Sequence, residues 1–411
     1  MIDLKTPAYR RASFALALGS FLIFCNLYLF QPMLPLMVET FSATATEVNW
    51  LLAASTLALA LTLVPWAVGS EVIGRRQVML LSLFLLPVVG LLMLAAEDLV
   101  WLSIGRALMG ASLAGFAAVA VAYMAEEFTP RALVVAVGGY ISANSLGGIV
   151  GRLAGGFVAD HWGWQTAVIG MAGFSLLVAV IVWRLLPPQQ HFVASKGQLG
   201  MHTRSVFQHF RQPVLRYAML IGGVNFALFV NLYTVMGFRL VAAPYLIPVS
   251  LASMIFLCYL GGSVTAKLSG RWTLSYNPVT GMLLGTTISM AGMWVAAWES
   301  IPAMLTGLML ISSGAFFTHS LAYAWVSQKA TQAKATATAL YLVHYYAGGS
   351  LGGFFLVACW EYWGWSGVLA GGSVLYVVLY LLAFRLIGVS QHVAPIGEET
   401  VHPAQGNSHS A

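Results

Sequence analysis

The chain has 411 residues, of which 59% are hydrophobic and only 8% charged, with a mean hydropathy of +0.83. A water-soluble domain carries about a quarter charged residues, so the composition excludes that class and points to a protein built to lie in a bilayer. The net charge of +6 does not mark nucleic-acid binding, because the basic residues are scattered over many short segments and form no single patch.

Crossing the hydrocarbon takes about 20 mostly apolar residues as a helix. Twelve such runs follow one another, starting near residues 13, 48, 77, 99, 132, 164, 214, 244, 278, 301, 336 and 366. The first, about Ser13 to Val38, is too long for a signal sequence and lacks a cleavage site, so it is expected to remain as a span. It carries Asn26 and Gln31, with Pro32 and Pro35 weakening the helix. The second and third runs are joined by a tight turn holding Glu71, Arg75 and Arg76. The fourth contains Arg106 and Gly110. In the fifth, Gly147, Gly151 and Gly155 recur every four residues and so share a helix face, where small side chains let another helix approach closely. Tyr140, Asn144, Gly148 and Arg152 form a neighbouring polar stripe. Arg152 is expected about six residues, or roughly 9 Å, from the end of its span, within snorkelling reach of water.

A polar, basic segment, 188–213, divides the chain into a six-span half at 1–187 and another at 214–390. The second half adds Asn225, Asn231 and Tyr233 in its first span, His319 and Tyr323 in its fourth, and Tyr341, His344 and Tyr345 in its fifth. The tail, 391–411, reads as disordered. Its spread histidines, and cysteines scattered at Cys25, Cys258 and Cys359, offer neither a metal site nor a disulfide framework, and no cofactor is expected.

Placing both termini in the cytoplasm puts every basic residue there except Arg239 and the intramembrane Arg106 and Arg152, as the positive-inside rule requires. The halves also echo each other. Ala122 onward reads AYMAEEFTPR and Ala322 onward AYAWVSQKAT. ADHWGWQTAVIG from Ala159 matches CWEYWGWSGVLAG from Cys359, and WAVGSEVIGRR from Trp66 matches YLGGSVTAKLSGRW from Tyr259. A weaker echo, NLY, occurs at Asn26 and at Asn231. Duplicated six-helix halves place a shared cavity between them near the bilayer midplane.

These features resemble the major facilitator superfamily. The turn with Gly69, Glu71, Gly74, Arg75 and Arg76 is similar to the family's loop between spans 2 and 3. Arg106 and Gly110 match its R-x-x-x-G, and Gly147, Gly151, Arg152, Gly155 and Gly156 resemble its antiporter motif, in the variant of the drug-efflux and arabinose-efflux-like branch. The resemblance implies an all-α membrane protein of twelve transmembrane helices and a small-molecule substrate. It further implies a bacterial inner-membrane location and a monomer. Substrate-wall candidates are Asn26, Gln31, Tyr140, Asn144, Asn231, His319 and His344. Gating and coupling candidates are Glu71, Arg75, Arg76, Arg106, Gly147, Gly151 and Arg152, with the glycine face meeting the opposite half. Arg106 is either a proton-coupling group or a brace. Glu39, Glu47 and Asp160 at the rim are expected to pair with at least one intramembrane arginine, while Glu126 and Glu127 read as a solvated group. Protons are the candidate coupling ion, and His319 and His344 are side chains that titrate in the right range.

Two transport functions stay open: efflux of a small organic compound, in exchange for protons, and movement of a metabolite such as a sugar or organic anion. A sensor without transport is a third class. A membrane enzyme is excluded because no His, Asp or Cys set converges on one water layer.

Overall fold

The structure, a computed structural model, describes residues 1–192, 194, 208–331 and 334–391. Most of the basic linker and the tail read as disordered lie outside the described residues. In chain order the α-helices include α1 Pro7–Tyr28, α2 Leu34–Phe41, α3 Ala45–Val48, α4 Trp50–Ile73, α5 Arg75–Met93, α6 Leu99–Glu127, α7 Pro130–Trp162, α8 Trp164–Leu185, α9 Pro213–Val241, α10 Val249–Ala252, α11 Tyr259–Trp272, α12 Pro278–Val295, α13 Ile301–Lys329 and α14 Lys334–Gln391. A 3₁₀ turn, Ser253–Cys258, joins α10 to α11. Among the described residues the β pairing is one isolated bridge, Ile2 to Phe128.

Local chemistry sets where these helices start. Thr6, Asp98 and Thr129 accept from backbone N–H groups of the first turns of α1, α6 and α7, and Thr44 and Glu47 form a reciprocal capping box on α3. Proline opens α1, α7, α9 and α12, where its missing N–H is no loss. Among the described residues ten helical stretches are long and apolar enough to cross a membrane; the last, Thr336–Gln391, bends at Gly364, whose φ is 59°. The helices are apolar all round: Leu16 and Phe116 are buried inside, while Leu92, Val100 and Val134 stand exposed on the outside. That pattern suits a hydrocarbon surround and no other.

The proline-weakened first span breaks. Residues 29–33 are non-helical between α1 and α2, because Pro32 cannot donate to the carbonyl of Tyr28 and its ring crowds that position. The Gln31 N–H turns to the Tyr28 oxygen at 3.1 Å, which leaves the Leu27 carbonyl at the end of α1 to other donors.

The expected meeting of the glycine face with the opposite half is corrected by the packing. A Cβ on Gly147 would lie 2.2 Å from the Phe21 carbonyl oxygen, one on Gly151 2.5 Å from Cys25 Cα, and one on Gly155 2.3 Å from the Leu29 oxygen. This face thus seats α7 on α1, within the first half. It is Gly156, one residue round the helix, that faces the second half, with Ser253 Cβ 2.6 Å from a Cβ placed there.

Candidate functional site

Arg106 on α6 is 1% exposed and Arg152 on α7 is 2% exposed. Neither meets a carboxylate. Among the described residues the ion pairs are Arg75 with Glu126 and His191 with Glu127. The expected pairing with rim carboxylates is therefore overturned, and two of those groups have nearer work. Glu47 caps α3, and Asp160 accepts from the Ser250 N–H and hydroxyl at the start of α10.

Arg106 is held instead by the broken end of α1. Its Nη1 donates to the Asn26 oxygen at 3.1 Å and its Nη2 to the Leu27 oxygen at 2.7 Å, while Nε and Nη2 reach the Leu51 oxygen and the Ser55 hydroxyl on α4 at 2.9 Å each. These are the bonds of a brace tying α1, α4 and α6.

Arg152 stands ten residues before Trp162, the last residue of α7, about 15 Å along the helix at 1.5 Å per residue. Its Nε donates to Gln31 Oε1 at 2.7 Å and its Nη1 to the Gly148 oxygen at 2.7 Å. Three aromatic faces surround its Cζ: Tyr28 at 3.7 Å, Phe256 at 4.8 Å and Tyr259 at 4.9 Å from the ring centroids. The last two rings belong to the 3₁₀ turn and α11. Gln31 in turn donates through Nε2 to the Val230 oxygen at 3.0 Å and Thr234 Oγ1 at 2.9 Å on α9. A single polar chain thus runs from α7 through the broken first span to α9.

The other candidates separate into two groups. Asn26 donates to Leu22 and to Ser175 Oγ and packs α1 against α8. Tyr140 is buried, its backbone oxygen accepting from Ser20. Asn144, half-buried, keeps an unpartnered Oδ1, and so does fully buried Asn231, whose Nδ2 binds the Ala227 and Gly349 oxygens. His319 Nδ1 lies 2.9 Å from the Tyr341 hydroxyl, and its ring is 4.3 Å from that of Tyr345. His344 is occupied by the Leu340 oxygen and stacks on Phe210. The structure brings Gln31 and Arg152 together and sets His319 apart on α13.

In the α4–α5 turn, Arg75 Nε pairs with Glu126 Oε1 at 3.0 Å and Nη1 with Ser70 Oγ. Arg76 donates to the Trp183 and Leu186 oxygens at the end of α8, the place where a helix dipole favours a cation. Glu71 is half-buried and engaged. Glu127 is not solvated as expected: it is buried and accepts from the Gln190 and His191 backbone N–H groups.

Sequence reasoning missed the ring cage around Arg152. The signal for Tyr28 was present in the NLY echo, whose second copy places Tyr233 against Phe256 and Tyr259, two rings of the cage. It also missed the polar ties Thr46 to Glu361, where Oγ1 and the N–H both reach Oε2, and Thr56 to Ser350 at 2.7 Å.

Residues 16–353 match the Major Facilitator Superfamily. The chain belongs to that superfamily. It is 35% identical to the inner membrane transport protein YnfM of Escherichia coli (strain K12), over 93% of this chain and 91% of that one. It is 31% identical to the uncharacterized MFS-type transporter YybF of Bacillus subtilis (strain 168), over 92% and 93%. In fold it is similar to the inward-facing, unoccupied structure of a bacterial homolog of the human lysosomal transporter Spinster, with a TM-score of 0.72 at 16% identity over 94% of this chain and 98% of that one. This facilitator-superfamily protein is a multi-pass membrane transporter and not an enzyme.

Proposed function

We propose that the protein exports a small organic compound across a bacterial inner membrane by alternating access, as a monomer with both termini in the cytoplasm and protons as the coupling ion. Twelve spans underlie this reading: the ten apolar stretches, the 18-residue α12, and a twelfth produced when the bend at Gly364 divides the last. They form two six-helix halves, 1–187 and 214–390. The inner-membrane location draws on the name of the Escherichia coli relative. The export direction draws on the fifth-span motif around Gly147, Gly151 and Arg152.

The observation that carries the reading is the seam between the halves. Gln31 to Thr234, Thr56 to Ser350, Thr46 to Glu361 and Asp160 to Ser250 cross it from mid-depth to one face. Hydrogen bonds that exchange for bonds to water when the seam opens contribute little net free energy. Such ties can hold a gate shut and still release it. His319 and its Tyr341 partner are the proposed proton-responsive pair, since the buried ionisable groups of the spans otherwise include no mid-depth carboxylate among the described residues.

Inverted vesicles loaded by a compound panel, with and without a proton gradient, test the function. The gate is tested by Thr46→Cys with Glu361→Cys: a short thiol cross-linker should stop transport and reductant should restore it. Transport at an unchanged rate with the cross-link in place would end the alternating-access reading.

A further inference from the structure

Two arginines lie buried in one bilayer core, and they differ in how their donors are used. A guanidinium has five N–H donors. Arg106 places four of them on backbone and hydroxyl oxygens. Arg152 makes two hydrogen bonds, and the rest of its surface lies against the Tyr28, Phe256 and Tyr259 rings. Ring faces attract a desolvated cation by about 2 kcal/mol, which is well short of the cost of taking an unpaired ion out of water. A brace does not need this arrangement. A recognition site does, because the charge must be kept whole while its partner is absent.

The rings do not stop at the arginine. From Tyr259 the contacts run to Phe229 at 4.7 Å between centroids, on to Phe226 at 6.3 Å, to Tyr345 at 3.9 Å with an interplanar angle of 15°, and to His319 at 4.3 Å. The line begins at Arg152 on α7 and ends on α13, crossing α11, α9 and α14. One end of this line is a cation whose Nη2 lies outside those two hydrogen bonds, and the remainder is ring faces.

We propose that the transported compound is a planar organic monoanion, an aryl carboxylate or its like, with its carboxylate on Arg152 and its ring on the aromatic line. This rests on the transporter reading above and names the substrate class of the same site. The fork of a guanidinium matches both oxygens of a carboxylate, and aromatic faces hold a ring by offset or edge contacts. Gln31 Oε1, 2.7 Å from Nε, stands where a carboxylate oxygen would bind. Arrival of the anion displaces that amide oxygen and frees Gln31, the residue that also ties α9 through Val230 and Thr234. Binding would in this way loosen the seam.

The test uses the full chain purified in detergent, with benzoate and 2-naphthoate as probes, benzamide as the neutral isostere, and phenyltrimethylammonium as the cation. The two anions should raise the thermal unfolding midpoint saturably and the other two should not. Arg152→Gln should weaken benzoate binding about tenfold or more, the loss of a charged hydrogen bond, with Arg152→Lys in between. Phe226→Leu should weaken naphthoate. Equal stabilisation by benzamide, no stabilisation by either anion, or unchanged benzoate binding in Arg152→Gln would overturn the proposal. If Arg152→Gln does not fold, Arg152→Lys and the benzoate–benzamide comparison on the unaltered chain decide. Proteoliposome assays separate the two levels. Anion binding without passage of any compound sinks the transporter reading alone. Passage of other compounds without anion binding sinks this proposal alone.

Discussion

Removing the Arg106 guanidinium would leave the Asn26 and Leu27 oxygens at the end of α1 without the donor that now serves them, and would free the Ser55 hydroxyl on α4. An unsatisfied buried acceptor costs about 1–3 kcal/mol, so Arg106→Met should lower stability by about 3 kcal/mol or more, read as a fall in the unfolding midpoint in detergent. Arg106→Lys should recover only part, since one ammonium cannot cover three separated oxygens. Gly151→Ala brings a methyl to 2.5 Å from Cys25 Cα and should cost about 1–3 kcal/mol by overpacking. Gly170→Ala, with nothing within 4 Å, should be neutral or gain up to about 1 kcal/mol of helix propensity. Both arginines were legible in the sequence as charges without midplane partners. Their partners were not, because backbone oxygens and ring faces leave no charge pattern to read. Nothing in the spacing alone told the brace from the caged cation.

The chain order of helices, and the interruption by Pro32, could be read from hydropathy and proline chemistry, but the bend points needed backbone geometry. Gly163 joins α7 to α8 with φ 84° and Gly364 bends α14 with φ 59°, both in conformations that side chains resist. Nothing lies within 4 Å of a Cβ on Gly364, so Gly364→Ala should cost about 1–3 kcal/mol from backbone strain alone, again visible in the unfolding midpoint. At the other face the chain start is tied down: the Ile2 N–H reaches the Glu127 oxygen and the Thr129 hydroxyl reaches Asp3 Oδ1. The Leu4 backbone N–H foremost, then that hydroxyl, hold the Asp3 carboxyl below its ordinary range. A depressed carboxylate stabilises above its unfolded pKa and loses that contribution as pH falls through the folded value. Protease nicking before Pro7 should therefore accelerate below about pH 4, and Asp3→Asn should show the faster rate at neutral pH.

Across the whole molecule the sequence echo has a structural form, and it is imperfect at the site. Both Trp-Gly-Trp turns carry their glycine at positive φ, and both second tryptophans, Trp164 and Trp365, bury an indole N–H without a partner. Counted back from those glycines, 163 − 152 = 11 and 364 − 353 = 11, so Arg152 and Gly353 stand at matching depth. A Cβ on Gly353 would lie 2.5 Å from Asn49 Nδ2 and 2.9 Å from Asn231 Oδ1; where one half has a cation, the other has a gap filled by neighbours' amides. The pairing of segments was legible from the repeats, but this asymmetry emerges only when the helices are packed. Weakening the seam should show in access. Asp160→Asn with Glu361→Gln, in a chain carrying Ser253→Cys and lacking its three buried native cysteines, should raise the maleimide labelling rate about fivefold, the population change that about 1 kcal/mol produces. The break after Tyr28 also bears on how the protein is made. A lone arginine at mid-helix costs the insertion machinery about 2.5–3.5 kcal/mol, and both α6 and α7 carry one. The carbonyls at the end of α1 and the Gln31 amide are synthesised first and wait in the bilayer for them. Nascent chains long enough for the fourth span to clear the ribosome would then integrate that span less completely once Pro32 is replaced by alanine, because the carbonyls that receive Arg106 would be sealed into a continuous helix before that cation arrived.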